Sequence, residues 1–213
     1  MSLEMLGRVG EQELAKGAEA PFTLNRQGYV VVHDSMAAAA ERGRLFIVCL
    51  QAPDAMAAGL SLTAPVLTLY NPAGSGVTGR LWMASWVNEV ANTAALTVWL
   101  AAGTNTVGAT TTGTITTAHR NMKLGGITPA SQGDKIVALE NATLPAAPVG
   151  IDFIGCGLTG AITVRASVPA LTKWYYGAVL IQPGTNISLQ ASTATAAASS
   201  TVSFIWEECD LIA

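Results

Sequence analysis

From Tyr29 onward, short apolar runs alternate with clusters of Gly, Pro, Asn and Ser, the punctuation of strands and turns. The runs predict strands at Tyr29–His33, Arg44–Gln51, Val66–Tyr70, Gly79–Trp86, Leu96–Ala101, Lys135–Leu139, Gly150–Cys156, Ala161–Ser167, Tyr176–Ile181, Ile187–Ala191 and Val202–Glu207. Met36–Glu41 and His119–Leu124 read as single helical turns. The runs differ in kind. Val66-Leu67-Thr68-Leu69-Tyr70 is apolar almost throughout, as in a strand buried on both faces. Ile187-Ser188-Leu189-Gln190 and Val202-Ser203-Phe204-Ile205-Trp206 alternate, as in strands with one wet face. Tyr176–Ile181 and Ile187–Ala191, joined through Gln182-Pro183-Gly184-Thr185-Asn186, read as a hairpin with Pro and Gly in its turn.

Many short strands separated by Gly/Pro turns predict an all-β fold, a jelly-roll-like antiparallel β-sandwich. It occupies residues 28–213, behind a short N-terminal arm at residues 1–27. The arm is where charge gathers, with apolar Leu3, Leu6, Val9 and Leu14 set among Glu4, Arg8, Glu11, Glu13, Lys16 and Glu19. Gly7, Gly10 and Gly17 weaken any helix there, so the arm is ordered mainly by what it touches, and those four apolar residues are candidate interface positions. Two low-complexity tracts lie in the body, Gly103–Ala118 and Ala191–Thr201. They read either as exposed loops or as small neutral surface packed against another subunit, and their lack of charge favours the second.

Composition sharpens this picture. Charged residues make up 12% of the chain, about half of the ~25% usual in globular proteins. Ala55–Gly79, Val90–Ala118 and Trp174–Trp206 carry no Asp, Glu, Lys or Arg at all. Each is long enough to cross a bilayer, yet each is broken by Pro, Gly, Asn or Thr-rich backbone that hydrocarbon tolerates poorly. The expectation is therefore a chain with no membrane partner. The net charge of −3 and the lack of any Lys/Arg cluster argue against nucleic acid as a partner.

Candidate chemistry is sparse. His33 and His119 are far apart and sit in no metal-ligand pattern. Pro72-Ala73-Gly74-Ser75-Gly76 lacks the spacing of a nucleophile elbow and reads as a loop between strands. The carboxylates are scattered, whereas a glycosidase needs two flanking one cleft. Asp152 is the unusual one, because it interrupts an apolar strand: it faces solvent, pairs with an Arg such as Arg80 or Arg165, or does chemistry. No catalytic residue, cofactor or metal site is expected. Of the three cysteines, Cys49 and Cys156 read as inert thiols, and Cys209 is the candidate for an intersubunit disulfide. Core packing is the default for Trp82, Trp99 and Trp206. Trp174, Tyr175 and Tyr176 are the candidate contact surface, since Trp and Tyr are favoured at interfaces.

Three segments carry a resemblance: Thr68-Leu69-Tyr70-Asn71-Pro72-Ala73-Gly74-Ser75-Gly76, Leu180-Ile181-Gln182-Pro183-Gly184-Thr185-Asn186-Ile187-Ser188-Leu189-Gln190, and the closing Trp206-Glu207-Glu208. With the Ala/Thr/Gly-rich, charge-poor style between them, they resemble structural proteins of tailed-phage virions over most of residues 44–208. The resemblance implies a bacteriophage capsid decoration or cement protein of jelly-roll fold. It further implies a homotrimer on the capsid surface of the virion, with the major capsid protein as partner and no enzymatic activity. A tail-tip, fibre or receptor-binding module recognising host glycan is the alternative.

Overall fold

The computed structural model describes residues 35–89, 95–104, 110–115, 120–122, 135–157, 170–195 and 200–210. The chain divides into two compact units, Met1–Ala38 and Ala39–Ala213. The predicted helical turn is present as α1, Ser35–Glu41. It ends where Gly43 adopts a left-handed φ of 72°, with the Arg44 N–H donating to the Ala39 carbonyl. A glycine takes that conformation without steric cost, so it is the usual residue after a helix end.

Among the described residues, everything else that is regular is β. The strands are β1 Leu45–Cys49, β2 Leu67–Asn71, β3 Val77–Asn88, β4 Leu96–Thr104, β5 Thr112–Ile115 and β6 Arg120–Asn121. They continue with β7 Val137–Thr143, β8 Val149–Gly157, β9 Ala170–Ile181, β10 Thr185–Ala191 and β11 Ser200–Asp210. They form two sheets, in the orders β6-β1-β11-β3-β9 and β5-β7-β2-β10-β4-β8. β1 pairs with β11, β2 with β10, β3 with β9 and β4 with β8, all antiparallel. These pairs are nested, and the two sheets pack as an antiparallel β-sandwich. The three short strands inserted between β4 and β8 add to the margins, β6 beside β1 and β7 with β5 beside β2.

The core lies between the sheets. Phe46, Val48, Leu81, Trp86, Phe204 and Trp206 from one sheet pack against Leu67, Leu69, Val98, Leu100, Ile187 and Leu189 from the other. Trp206 is fully buried and stacks on Phe46, with ring centroids 5.6 Å apart. Every residue of β2 is buried, as its unbroken apolar pattern predicts. Leu67 and Leu69 enter the main core, while Tyr70 joins Leu139, Ala142 and Leu144 in a smaller cluster.

Two expectations need correction. Tyr176–Ile181 and Ile187–Ala191 do not pair as a hairpin: β9 pairs with β3, and β10 with β2 and β4, in opposite sheets. The turn at Gln182–Gly184 is an arch between sheets, and the end of β2 holds it there. The Asn71 side-chain amide donates to the carbonyls of Ile181 (2.8 Å) and Val77 (2.9 Å), and the Gly184 N–H donates back to the Asn71 carbonyl. The second correction concerns His119–Leu124, where Arg120–Asn121 forms a strand instead of a helical turn. It completes the outer edge of β1, and the Asn121 amide donates to the Gly43 carbonyl.

Other features follow the sequence. Pro72–Gly76 is the loop between β2 and β3, with Gly74 and Gly76 both in left-handed backbone. The closing Trp206-Glu207-Glu208 has structural work within the chain. Glu207 is buried within 3.6 Å of Arg44 and 4.0 Å of Arg80, and the Glu208 carboxylate accepts the N–H groups of Lys135 and Ile136. Thr195, in the Ala/Ser/Thr tract, is buried against its own chain, where its hydroxyl accepts the Met56 N–H at 2.7 Å. The predicted strands Tyr29–His33 and Ala161–Ser167 lie outside the described residues.

Candidate functional site

Each sheet ends in a strand with no neighbour on its outer side among the described residues: β8 in one, β9 in the other. Both terminate on the same side of the sandwich, so together they form one of its corners. Both are long for edge strands, nine residues in β8 and twelve in β9. Such edges are ordinarily blunted by charge, proline or bulges, because their free N–H and C=O groups can template pairing.

Here the corner is closed by one ion pair. Lys173, on the inward side of β9, reaches across the gap between the sheets to Asp152 on β8, with Nζ 2.7 Å from Oδ2 and 2.8 Å from Oδ1. The same ammonium donates to the Phe153 carbonyl at 3.0 Å, and the Phe153 N–H donates to Asp152 Oδ1 at 2.8 Å. Tyr175 also faces inward. It is buried, its ring lies 5.9 Å from Lys173 Nζ, and its hydroxyl sits beside the Asp152 carboxylate without a hydrogen bond of normal geometry. Desolvation pushes the Asp152 carboxyl upward, but hydrogen bonding to Lys173, contact with Tyr175 and the Phe153 N–H outweigh it and hold the group below its ordinary value. Burial, followed by the neighbouring Asp152 charge, pushes the Tyr175 phenol above its ordinary value. The sequence offered Arg80 or Arg165 as the partner of Asp152. The partner is Lys173; Arg80 pairs with Glu207, and Arg165 lies outside the described residues.

The flanks of the corner are apolar. In β9, Tyr176 (φ 51°) and Gly177 (φ 79°) form a left-handed bulge opposite the register shift between Leu81 and Met83. Tyr176 faces outward, where it is 73% exposed and stacks on Trp174 with centroids 6.1 Å apart and planes 27° from parallel. In β8, two register shifts against β4 accompany the exposure of Val149, Ile151 and Phe153. Phe153 leans on Trp99 at 6.5 Å, which places Trp99 on the outer face, not in the core position expected of it. Between the flanks, at the Leu180 end, runs a groove of about 280 Å³ lined mainly by Ala102, Val149, Ile151, Val179, Leu180 and Ile187.

No known family model matches the chain, and no curated protein or solved structure is significantly similar to it.

The sequence-predicted positions distribute as follows. Trp174 and Tyr176 meet on the exposed flank, and Tyr175 between them is interior. Cys209 is half-buried, and burial, then the Glu207 charge, pushes its thiol up to about 11. Cys156 is the exposed thiol, next to Thr97, and burial raises the Cys49 thiol. Leu3, Leu6, Val9 and Leu14 lie outside the described residues, as do His33 and His119. Among the described residues, no group of three or more His, Cys, Asp or Glu is placed to hold a metal ion. No described helix is long and apolar enough to cross a membrane. Sequence reasoning missed Val149, Ile151, Phe153 and Leu180. The first three do show a period-two apolar stripe in Val149-Gly150-Ile151-Asp152-Phe153.

Proposed function

We propose that this chain is a virion structural protein: a homotrimeric decoration, or cement, protein that binds the major capsid protein on the capsid surface and stabilises the shell. One observation carries the reading. Six of the nine exposed large hydrophobic side chains among the described residues stand on β8 and β9, at one corner of the sandwich. A chain with 12% charged residues and that much apolar surface in one place is suited to association. Closed symmetry hides such surface, whereas open-ended association leads to fibres. A decoration protein of this kind needs no chemistry. Binding only the assembled shell, it stabilises that state by mass action.

The first test is the mass of the full chain at micromolar concentration by sedimentation equilibrium. Three copies of the 21.9 kDa chain are expected, and a monomer would refute the reading. The stacked, exposed Trp174–Tyr176 pair favours one alternative, a tail-tip, fibre or receptor-binding module that reads host glycan. Glycan-array binding that disappears in Trp174→Ala would establish it. Cleavage of a surface polysaccharide by the purified chain would replace both readings with an enzyme.

A further inference from the structure

The inward face of the first sheet is apolar along β3 and β11 until one end. Leu81, Ala84 and Trp86 of β3 enter the core, as do Val202, Phe204 and Trp206 of β11. The next inward positions on the two strands are Asn88 and Ser200, both fully buried. The Asn88 amide oxygen and nitrogen and the Ser200 hydroxyl nevertheless make no hydrogen bond among the described residues.

The backbone shows how close the two side chains stand. Ser200 exchanges both its N–H and its C=O with Asp54, at 2.9 Å each, on the side away from β3. Opposite Asn88 it therefore occupies a non-hydrogen-bonded position of the ladder, where paired Cα atoms are about 4.5 Å apart and side chains approach most closely. A carboxamide and a hydroxyl thus stand side by side on one face without bonding each other. The adjoining row, Trp86 opposite Val202, offers one further unpartnered donor, the indole N–H, and no side-chain acceptor.

We infer that this end of the core is a hydration site, in which ordered water bridges the Asn88 carboxamide and the Ser200 hydroxyl. Burying an amide and a hydroxyl unpaired is costly. Water both donates and accepts, so it serves either end of the amide and the hydroxyl together. Buried polar groups that a protein leaves over are ordinarily met in this way, by water with two to four partners. Both side chains are neutral, which suits water and not an ion. The site lies within one chain and stands apart from any self-association.

The test is a crystal structure of the full chain, sharp enough to place solvent. A solvent peak is expected about 2.7–3.2 Å from an Asn88 amide atom and from Ser200 Oγ. In Asn88→Leu/Ser200→Ala, with a thermal melt showing that it is folded, the peak disappears, because an apolar pocket stays dry. Urea unfolding gives a second measure. Asn88→Leu alone strands the hydroxyl and lowers the folded-to-unfolded ratio by about 10-fold, and adding Ser200→Ala recovers part of that loss. A direct Asn88–Ser200 hydrogen bond with no solvent peak would overturn the inference, as would a peak that persists in the double variant or losses that simply add. A peak held at ~2.3–2.6 Å by several oxygens, Asp54 among them, would identify a cation and overturn it too. Should the double variant fail to fold, the wild-type density decides.

Discussion

Gly79→Ala puts the packing between the sheets to a quantitative test. Gly79 lies on the inward side of β3, opposite Ile181 of β9 and Glu208 of β11. A Cβ added there would overlap the δ1 methyl of Ile136 and stand 3.2 Å from Ile181 Cβ. Ile136 and Ile181 are both fully buried, and the Ile136 N–H is tied to Glu208 at 2.8 Å, so neither side chain can retreat into solvent. Overpacking of this kind costs about 1–3 kcal/mol. The alanine also stiffens the unfolded chain, which returns about 0.4–1 kcal/mol. The net loss is about 1–2 kcal/mol, a fall in Tm of roughly 3–6 °C for a body of this size. Ile136→Val removes the overlapping methyl and by itself costs about 0.5–1.5 kcal/mol. The double variant is therefore expected to be more stable than the sum of the single losses, by about 1 kcal/mol of coupling. Calorimetry or urea unfolding at one fixed protein concentration measures all four corners of the cycle. A Gly79→Ala chain as stable as the wild type, or a cycle without coupling, would refute the packing described here.

Other consequences are as direct. Asn71→Ala strips two buried carbonyls, Val77 and Ile181, of a side-chain donor. It should cost about 2–4 kcal/mol, seen as a lower urea midpoint with unchanged slope. The Asp152 carboxyl is held below its ordinary value in the fold, so its stabilisation is fully present above the unfolded value of ~3.9 and disappears as pH falls through the lower folded value. Urea midpoints of wild type and Asp152→Asn should accordingly differ near neutral pH and converge in acid; a gap independent of pH would contradict the ion pair. In thiol labelling at pH 8, Cys156 should react first and Cys209 on the order of 100-fold more slowly, because a thiol near 11 supplies little thiolate. Mass spectrometry of the labelled chain would expose the reverse order.

Much of this fold could be read along the chain because each strand's burial is a local pattern. The unbroken apolar run at Val66–Tyr70 anticipates a strand buried on both faces, and the alternation of Val202-Ser203-Phe204 places Val202 and Phe204 in the core. Partner choice is less local. Gln182-Pro183-Gly184 has the same turn chemistry whether the next strand returns beside β9 or crosses to the other sheet, and the crossing is fixed by Asn71, far away in sequence. The site divides in the same way. Period two separates Trp174 and Tyr176 from Tyr175, but the sequence reading keeps all three together as one contact surface, and Tyr175 is interior. Asp152 and Lys173 meet only because two sheets end on the same side, a relation no periodicity encodes. Val149, Ile151 and Phe153 look like core residues by type, yet all three are exposed; Phe153 stands on the outward face of β8, the face Trp99 shares, while Ile154 turns to the core.

Because the proposed function makes this chain a virion protein, its most direct test is to image the particles proposed to carry it by electron cryomicroscopy and look for the chain in the density. The account predicts symmetric, threefold density on the outer surface of the capsid lattice. Density confined to the tail end, or no density on the particle, would contradict it.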